Sequence, residues 1–447
     1  MRADARIAWI LARGSDRREW WRIALTAVGA LLATVFALAA ITVAAVRGQV
    51  SIPFAHGLLN QPGERAGVVV ALLLLLVPVL GLLGQCARIG AVHRDRRMAG
   101  LRLAGASPAQ VRRISALESA PVCLAGSAGG LAVVAAALAV RGHIPPATAW
   151  VAFVVVVLGV PVAGALVSVL ALRRVVASPL GEVRRVRPER GSRTLLVLAV
   201  AALPIAAGAY ALVVRDSSPA SASLPMLVFG LVFLAGAGAV WAAGASAGRM
   251  GRRLAASAKS PAVMIAAGRL RDDPWAAART HAALLLVTVV GIAFVGVREV
   301  VLADLRGKGV HRAADLAFYT NGIDLAGVAI LVALTISLFG LAVGTAESLA
   351  TRRRGLAAQT AAGVPHTVLA RATLLETALP LAPAVLLATL GGMAVHLTYT
   401  AVAAPGTAPS MLPLLVPVAV YGACLLAAAT SLPLLRRMAH PAELRFA

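Results

Sequence analysis

The sequence predicts an all-α integral membrane protein with ten transmembrane helices, arranged as two four-helix units separated by two extra helices. Three observations support this fold class. First, 60% of the 447 residues are hydrophobic and only 13% are charged. Second, the apolar residues form repeated runs of about 18 or more, long enough to cross a hydrocarbon core of about 30 Å as helices, without the alternation of membrane β-strands. Third, segments of the first half recur in the second half.

The apolar runs give the order of the predicted spans and domains. They lie at 23–46, 66–87, 119–140, 148–172, 194–214, 224–246, 282–303, 325–349, 376–399 and 412–435. Residues 1–22 mix apolar side chains with arginines and predict a helix on the inner membrane surface. The domains that follow are a four-span unit (23–185), a two-span insert with a basic connection (186–281) and a second four-span unit (282–447). Small-residue segments at 126–130 and 230–244 predict close helix packing.

The positive charge predicts how the chain is oriented. The net charge is +24, and 34 of the 42 Lys and Arg residues lie on the side of the two termini. The positive-inside rule therefore predicts a multi-pass membrane protein with both termini in the cytoplasm. Because the arginines lie between apolar runs, we expect them to meet anionic lipid headgroups, and we predict no nucleic-acid partner.

A long internal repeat relates the two four-span units. Residues 96–120 align without gaps with residues 354–378 at an offset of 258. Three identical pairs mark the alignment: Gly105 with Gly363, Arg113 with Arg371 and Glu118 with Glu376. A weaker similarity follows each half, at 173–184 and 436–445. The repeat predicts two copies of one structural unit.

The first repeated segment has the residues of a sharp turn that leads into a helix. Gly105 allows a backbone conformation that other residues disfavour, and Ser107, Pro108 and Gln110 form a capping box with proline at the first helical position. These residues predict a corner followed by a short cytoplasmic helix through Val111 to Arg113. The second copy has His366 and Val368 where Pro108 and Gln110 stand, which predicts a weaker cap and leaves equal roles for the two copies open.

One carboxylate opens the third span of each unit. Glu118 and Glu376 each gain from the helix dipole at a helix start and are expected to pair with the nearby Arg113 and Arg371. A structural role for these carboxylates is favoured over proton relay.

The sequence contains no motif that is typical of an enzyme active site or a metal site. It has neither a phosphate-binding G-x-x-x-x-G-K-[ST] loop nor a G-x-S-x-G nucleophile motif, so the chain is not expected to be an enzyme. The eight histidines lack metal-ligand spacing, and the three cysteines suggest neither a disulfide framework nor a zinc site. No catalytic, cofactor or metal site is predicted.

The repeated pattern resembles the FtsX-like permease family, the membrane subunits of type VII ABC transporters. The resemblance rests on the Arg-rich stretch, the Leu-Arg-x-x-Gly-Ala-Ser corner, the basic helix and the glutamate that opens the next span. The ten-span plan is similar to that of bacitracin exporters. Those have a large extracellular domain between spans seven and eight, where this chain has only the 20 residues 304–323.

The resemblance implies a permease of the bacterial cytoplasmic membrane that depends on a separate P-loop ATPase, in two copies, which binds the ATP. ATPase closure would be transmitted through the spans to extrude or extract a hydrophobic or amphipathic substrate of unknown identity. The residues that the resemblance assigns to ATPase coupling are Gly105, Ser107, Pro108, Gln110, Arg112 and Arg113 in the first copy, and Gly363, Pro365, His366 and Arg371 in the second.

Three alternatives stay open at this point. The corners could be ordinary tight turns whose arginines only set the topology. The chain could be a secondary transporter driven by an ion gradient, with Pro161, Pro204 and Pro383 as candidate helix breaks. It could also be a scaffold that relays ATPase motion to an extracellular partner without transporting anything.

Overall fold

The computed structural model describes residues 17–52, 57–60, 62–86, 91–142, 145–171, 219–307, 313–404 and 408–439. Within these ranges the chain is helical and contains no strand. The helices are α1 (Arg17–Ala45), α2 (Pro62–Cys86), α3 (Ala91–Leu103), α4 (Pro108–Val140), α5 (Ala147–Ala171), α6 (Pro219–Ser257), α7 (Pro261–Asp272), α8 (Pro274–Gly307), α9 (Ala313–Thr351), α10 (Arg353–Ala361), α11 (His366–Ala403), α12 (Leu415–Ala429) and α13 (Leu432–Met438).

Eight stretches of helix in the described ranges are long and apolar enough to cross a membrane, which supports a multi-pass membrane protein. They lie at Trp20–Ala45, Gly67–Cys86, Pro108–Val140, Ala147–Leu166, Pro274–Ala303, Phe318–Thr351, His366–Ala401 and Leu412–Met438. The predicted span at 194–214 lies outside the described residues. The predicted span at 224–246 falls within α6, which is not one of the eight. The all-helical class is confirmed, and the count of ten spans stays a prediction.

The contacts divide the chain into two compact units. The first unit comprises residues 1–47 and 72–188, and α1, α4 and α5 form its helical core. A Cβ atom at Gly126 would overlap the carbonyl oxygen of Ala27, and one at Gly130 would lie 2.9 Å from the carbonyl oxygen of Leu31. Only glycine lets α4 approach α1 this closely, which confirms the close packing predicted from the small residues at 126–130.

The second unit comprises residues 48–71 and 189–447, and its core is formed mainly by α6, α8 and α11. Small residues again set the spacing: a Cβ atom at Gly392 would lie 2.7 Å from the Cβ of Ile292. In the same way, a Cβ atom at Gly236, within the small-residue segment 230–244, would lie 2.9 Å from Leu286.

Two of the prolines considered as helix breaks lie inside continuous helices. Pro161 is within α5 and Pro383 is within α11. Pro204 lies outside the described residues. The idea of broken helices is therefore wrong for Pro161 and Pro383, since neighbouring backbone groups continue the helix past both positions.

Candidate functional site

The first corner joins the short helix α3 to the long helix α4. Gly105 adopts φ of +95°, a region that side chains with a Cβ atom disfavour. Its amide donates to the carbonyl oxygen of Arg102 at 3.1 Å, and the amide of Ala106 donates to that of Leu101 at 2.9 Å. These two bonds and the left-handed glycine form a Schellman motif, which ends α3 sharply.

The capping box predicted after this turn is present. The backbone amide of Gln110 donates to Ser107 Oγ at 3.2 Å, and the amide of Ser107 donates to Gln110 Oε1 at 2.7 Å. Pro108 occupies the first turn, where no amide proton is needed. The start of α4 is thus fixed by local hydrogen bonds within a few residues of where α3 ends.

The second corner repeats the turn with a different helix start. Gly363 has φ of +89°, its amide donates to Thr360 O at 2.9 Å, and the amide of Val364 donates to Gln359 O at 3.0 Å. The N-cap position of α11 is Pro365, which has no side-chain cap hydrogen bond. The prediction of a weaker second cap is confirmed.

Repeat-related side chains form a small apolar core beside each corner. In the first copy, Met98 of α3 packs with Val111 and Ile114 of α4. In the second copy, Leu356 and Leu369 occupy the positions that match Met98 and Val111 at the offset of 258, and both are buried. Burial of these side chains holds each short helix on the start of the long helix that follows it.

One expectation about the corners is wrong. No separate short helix runs through Val111 to Arg113, because α4 is continuous from Pro108 to Val140. In the same way α11 is continuous from His366. The short helices, α3 and α10, precede the corners. The physical reason is that no helix-breaking residue follows Arg113 before the apolar segment starts, so the capped turn grows directly into the span.

Most of the predicted coupling residues are exposed at the two corners. Exposed in this way are Gly105, Ser107, Gln110, Arg112, Arg113, Gly363, Pro365, His366 and Arg371, whereas Pro108 is half-buried. The structure adds one residue that sequence reasoning missed, since Leu103 is 62% exposed at the end of α3. Its signal was an apolar residue two positions before the turn glycine Gly105.

The two glutamates have other partners than expected. Glu118 accepts hydrogen bonds from Arg22 of α1 at 2.6 Å and from Arg97 of α3 at 3.5 Å. The ion pairs seen for Glu118 thus come from other helices, and not from its neighbour on α4. Arg22 lies 96 residues away in sequence, so nothing in the spacing could have indicated this pair.

Glu376 in the second copy is bound in a similar way. Arg269 of α7 donates to its Oε2 at 3.0 Å, and Arg352, the N-cap residue of α10, donates to its Oε1 at 2.7 Å. Glu376 thus pairs with Arg269 and Arg352, and not with Arg371 as expected. We call these two clusters the glutamate clamps: Glu118 with Arg22 and Arg97, and Glu376 with Arg269 and Arg352.

The two corners present exposed side chains at the surface of the protein. Among the described residues, no group of three His, Cys, Asp or Glu side chains lies close enough to hold a metal ion. The exposed groups at the corners are guanidinium ions, an imidazole and turn residues, which suit contact with another protein.

Comparison with known proteins agrees with this geometry. Residues 66–180 match the family model of the FtsX-like permease C-terminal domain. This range contains the first corner and the first glutamate clamp except Arg22. No curated protein and no solved structure matches the chain significantly. The resemblance predicted from the corner residues is confirmed over this range: residues 66–180 are similar to the C-terminal domain of FtsX-like permeases.

Proposed function

We propose that the chain is the permease subunit of an ABC transporter, in which a separate ATPase, present in two copies, docks on the two corners. ATP hydrolysis by that partner then drives extrusion or extraction of a hydrophobic or amphipathic substrate from the bacterial cytoplasmic membrane. The observation that carries the proposal is the repeated corner, exposed in both copies and built by the same hydrogen bonds at an offset of 258.

The corners are suited to receive force. Each is held by a Schellman motif and by an apolar core, so a push on it moves the start of the following helix instead of deforming the turn. Helix α4 has 33 residues and therefore a length of about 50 Å at about 1.5 Å per residue. A displacement at Pro108 can thus reach the opposite membrane surface through one continuous helix.

The charges at the corners favour a partner in the cytoplasm. Arg112 and Arg113 are exposed on the first turns of α4, and Arg371 is exposed on those of α11. By the positive-inside rule these ends face the cytoplasm, where an ATPase has its ATP. Acidic groups of the partner would complement the exposed guanidinium ions, which form directional hydrogen bonds with carboxylates.

The two copies are expected to couple unequally. The first corner has a capping box and two exposed arginines, whereas the second lacks a side-chain cap and offers one arginine and His366. We therefore propose that the first corner makes the stronger contact with the ATPase.

The first test is to purify the tagged chain gently from its native membrane and identify any co-purifying P-loop ATPase. The double variant Arg112→Glu and Arg113→Glu should lose this ATPase, because the charges at the first corner are reversed. Arg141→Glu is the matched control, since Arg141 is an exposed arginine at the other end of the same helix.

Loss of the ATPase in the double variant but not in Arg141→Glu would support docking at the corner. Absence of any ATPase from the wild-type preparation under mild conditions would refute the proposal and favour a gradient-driven transporter. An ATPase retained by the double variant would place its contact elsewhere on the chain.

A further inference from the structure

We infer that Glu118 and Glu376 are positioning residues that transmit corner movement to the spans. Each carboxylate joins the start of the third span of its unit to the short helix at the corner and to a helix distant in sequence, which is α1 for Glu118 and α7 for Glu376. The inference rests on the proposed function, since it concerns how ATPase movement at the corners enters the membrane.

The pair at the centre of the first clamp is buried, and the three groups of the clamp come from three helices. The side chains of Glu118 and Arg22 are only 8% and 10% exposed, and their charged atoms lie 2.6 Å apart. Arg97 reaches the same Oε1 atom from α3 at 3.5 Å. One carboxylate oxygen thus connects α1, α3 and α4 at a point where the other side chains around it exclude most of the water.

The second clamp uses both oxygens of its carboxylate. Arg269 binds Oε2 and Arg352 binds Oε1, so Glu376 is held on two sides by α7 and by the residue that starts α10. Its side chain is 23% exposed, which is more than for Glu118. Two separate contacts fix the orientation of the carboxylate, and the contact with Arg352 links the start of α10 to the start of α11.

The arginines of the two clamps are not repeat equivalents of one another. Within the aligned segments Arg97 corresponds to Gly355, and Arg22 lies outside them. The glutamates are equivalent, yet each copy surrounds its glutamate with arginines from different sequence positions. A carboxylate that only capped its own helix would need no arginine from another helix. The feature that the two copies share is therefore the connection of one glutamate to two arginines from other parts of the chain.

A buried ion pair such as Arg22–Glu118 is also a costly way to anchor helices. Taking a carboxylate and guanidinium ions out of water carries a desolvation penalty that apolar packing would avoid, so such clusters are weak contributors to stability. Their value lies in directional contacts, because an ion pair with short hydrogen bonds resists displacement of one helix relative to another. This property suits a joint that passes on movement.

The test uses the full chain in complex with its co-purified ATPase, reconstituted in lipid nanodiscs. Cys86, Cys123 and Cys424 are replaced by alanine, and an environment-sensitive fluorophore is attached at Val140→Cys. Val140 is 88% exposed at the far end of α4. ATP addition to the wild-type complex should change the emission of this probe. Glu118→Gln should abolish that change while the ATPase still co-purifies and hydrolyses ATP.

Matched variants separate a positioning role from a structural one. Asp273→Asn removes the ion pair of Asp273 with Arg279, which is largely exposed, and should leave the emission change intact. Arg97→Gln leaves the short Arg22–Glu118 pair in place and should also abolish the emission change. It provides the test if the Glu118→Gln complex fails to assemble. A purely structural role would lower the amount of complex and leave the emission change per complex unaltered.

The outcomes distinguish the inference from the proposed function. If no ATPase co-purifies with the wild-type chain, both the inference and the proposed function are overturned. An assembled Arg97→Gln or Glu118→Gln complex that hydrolyses ATP and shows the full emission change overturns the positioning role alone. Loss of the emission change in both variants, with ATP hydrolysis retained, confirms it.

Discussion

Replacement of Gly105 by alanine should loosen the first corner through the backbone alone. A Cβ atom at this position would meet no atom within 4 Å, so the substitution creates no clash. The cost comes from φ of +95°, which for residues with a Cβ atom is disfavoured by roughly 1–2 kcal/mol. Gly363→Ala should cost the same, since its φ is +89° and its surroundings are equally open.

Hydrogen exchange followed by mass spectrometry on the purified chain measures this cost locally. The amide of Ala106, which donates to Leu101 O, reports on the Schellman motif, and the amide of Val111, which donates to Ser107 O, reports on the first turn of α4. At 1.4 kcal/mol per factor of ten, a penalty of 1–2 kcal/mol should speed their exchange by roughly 5- to 30-fold.

Two glycines close to the corners provide controls. Gly100 lies within α3 and Gly355 lies within α10, neither has a positive φ, and a Cβ atom at either would meet no neighbour within 4 Å. Alanine at these sites should slow local exchange or leave it unchanged, because glycine inside a helix costs about 0.5–1 kcal/mol relative to alanine. Equal exchange in Gly105→Ala and Gly100→Ala would refute the assignment of the left-handed turn.

Three further predictions concern packing, capping and charge. Gly126→Ala should lower the free energy of unfolding in detergent by about 1–3 kcal/mol, because the new methyl group would overlap the backbone of α1. Gly159→Ala should not lower it, because the space around Gly159 is open. Ser107→Ala should cost about 1 kcal/mol of helix stability, seen as faster exchange at the start of α4, and an unchanged rate would exclude a working cap. Burial raises the pKa of the Glu64 carboxyl above its usual value, so its contribution to stability is present at low pH and lost as the pH rises. Glu64→Gln should remove this part of the pH dependence of the melting temperature, and an unaltered profile would contradict the burial.

Local interactions made the corners predictable from sequence. The Schellman motif and the capping box join atoms within five residues of one another, so Gly105, Ser107 and Gln110 indicate them directly. The weaker second cap followed by the same reasoning from His366 and Val368 at the positions of Pro108 and Gln110. The continuation of α4 beyond Arg113 was not predicted, because a local cap marks where a helix begins and not where it ends.

The partners of the two glutamates could not be predicted in the same way. Arg22 and Glu118 lie 96 residues apart, and Arg269 and Glu376 lie 107 residues apart. Sequence spacing favoured Arg113 and Arg371 on the same helices, since neighbours on one helix are the only pairs that a linear pattern can reveal.

The sequence by itself determined the helical membrane class, the position of most spans, the repeat and the residues of both corners. Length, hydropathy and short-range hydrogen bonding carry this information, and all three are properties of contiguous residues. Only the tertiary structure decided which helices touch and which arginines bind Glu118 and Glu376. The spans are apolar around most of their circumference, so the pattern of a single helix does not mark the face that meets its neighbours. Close approach at glycines such as Gly126 and Gly392 sets that packing, and the packing brings distant charges together.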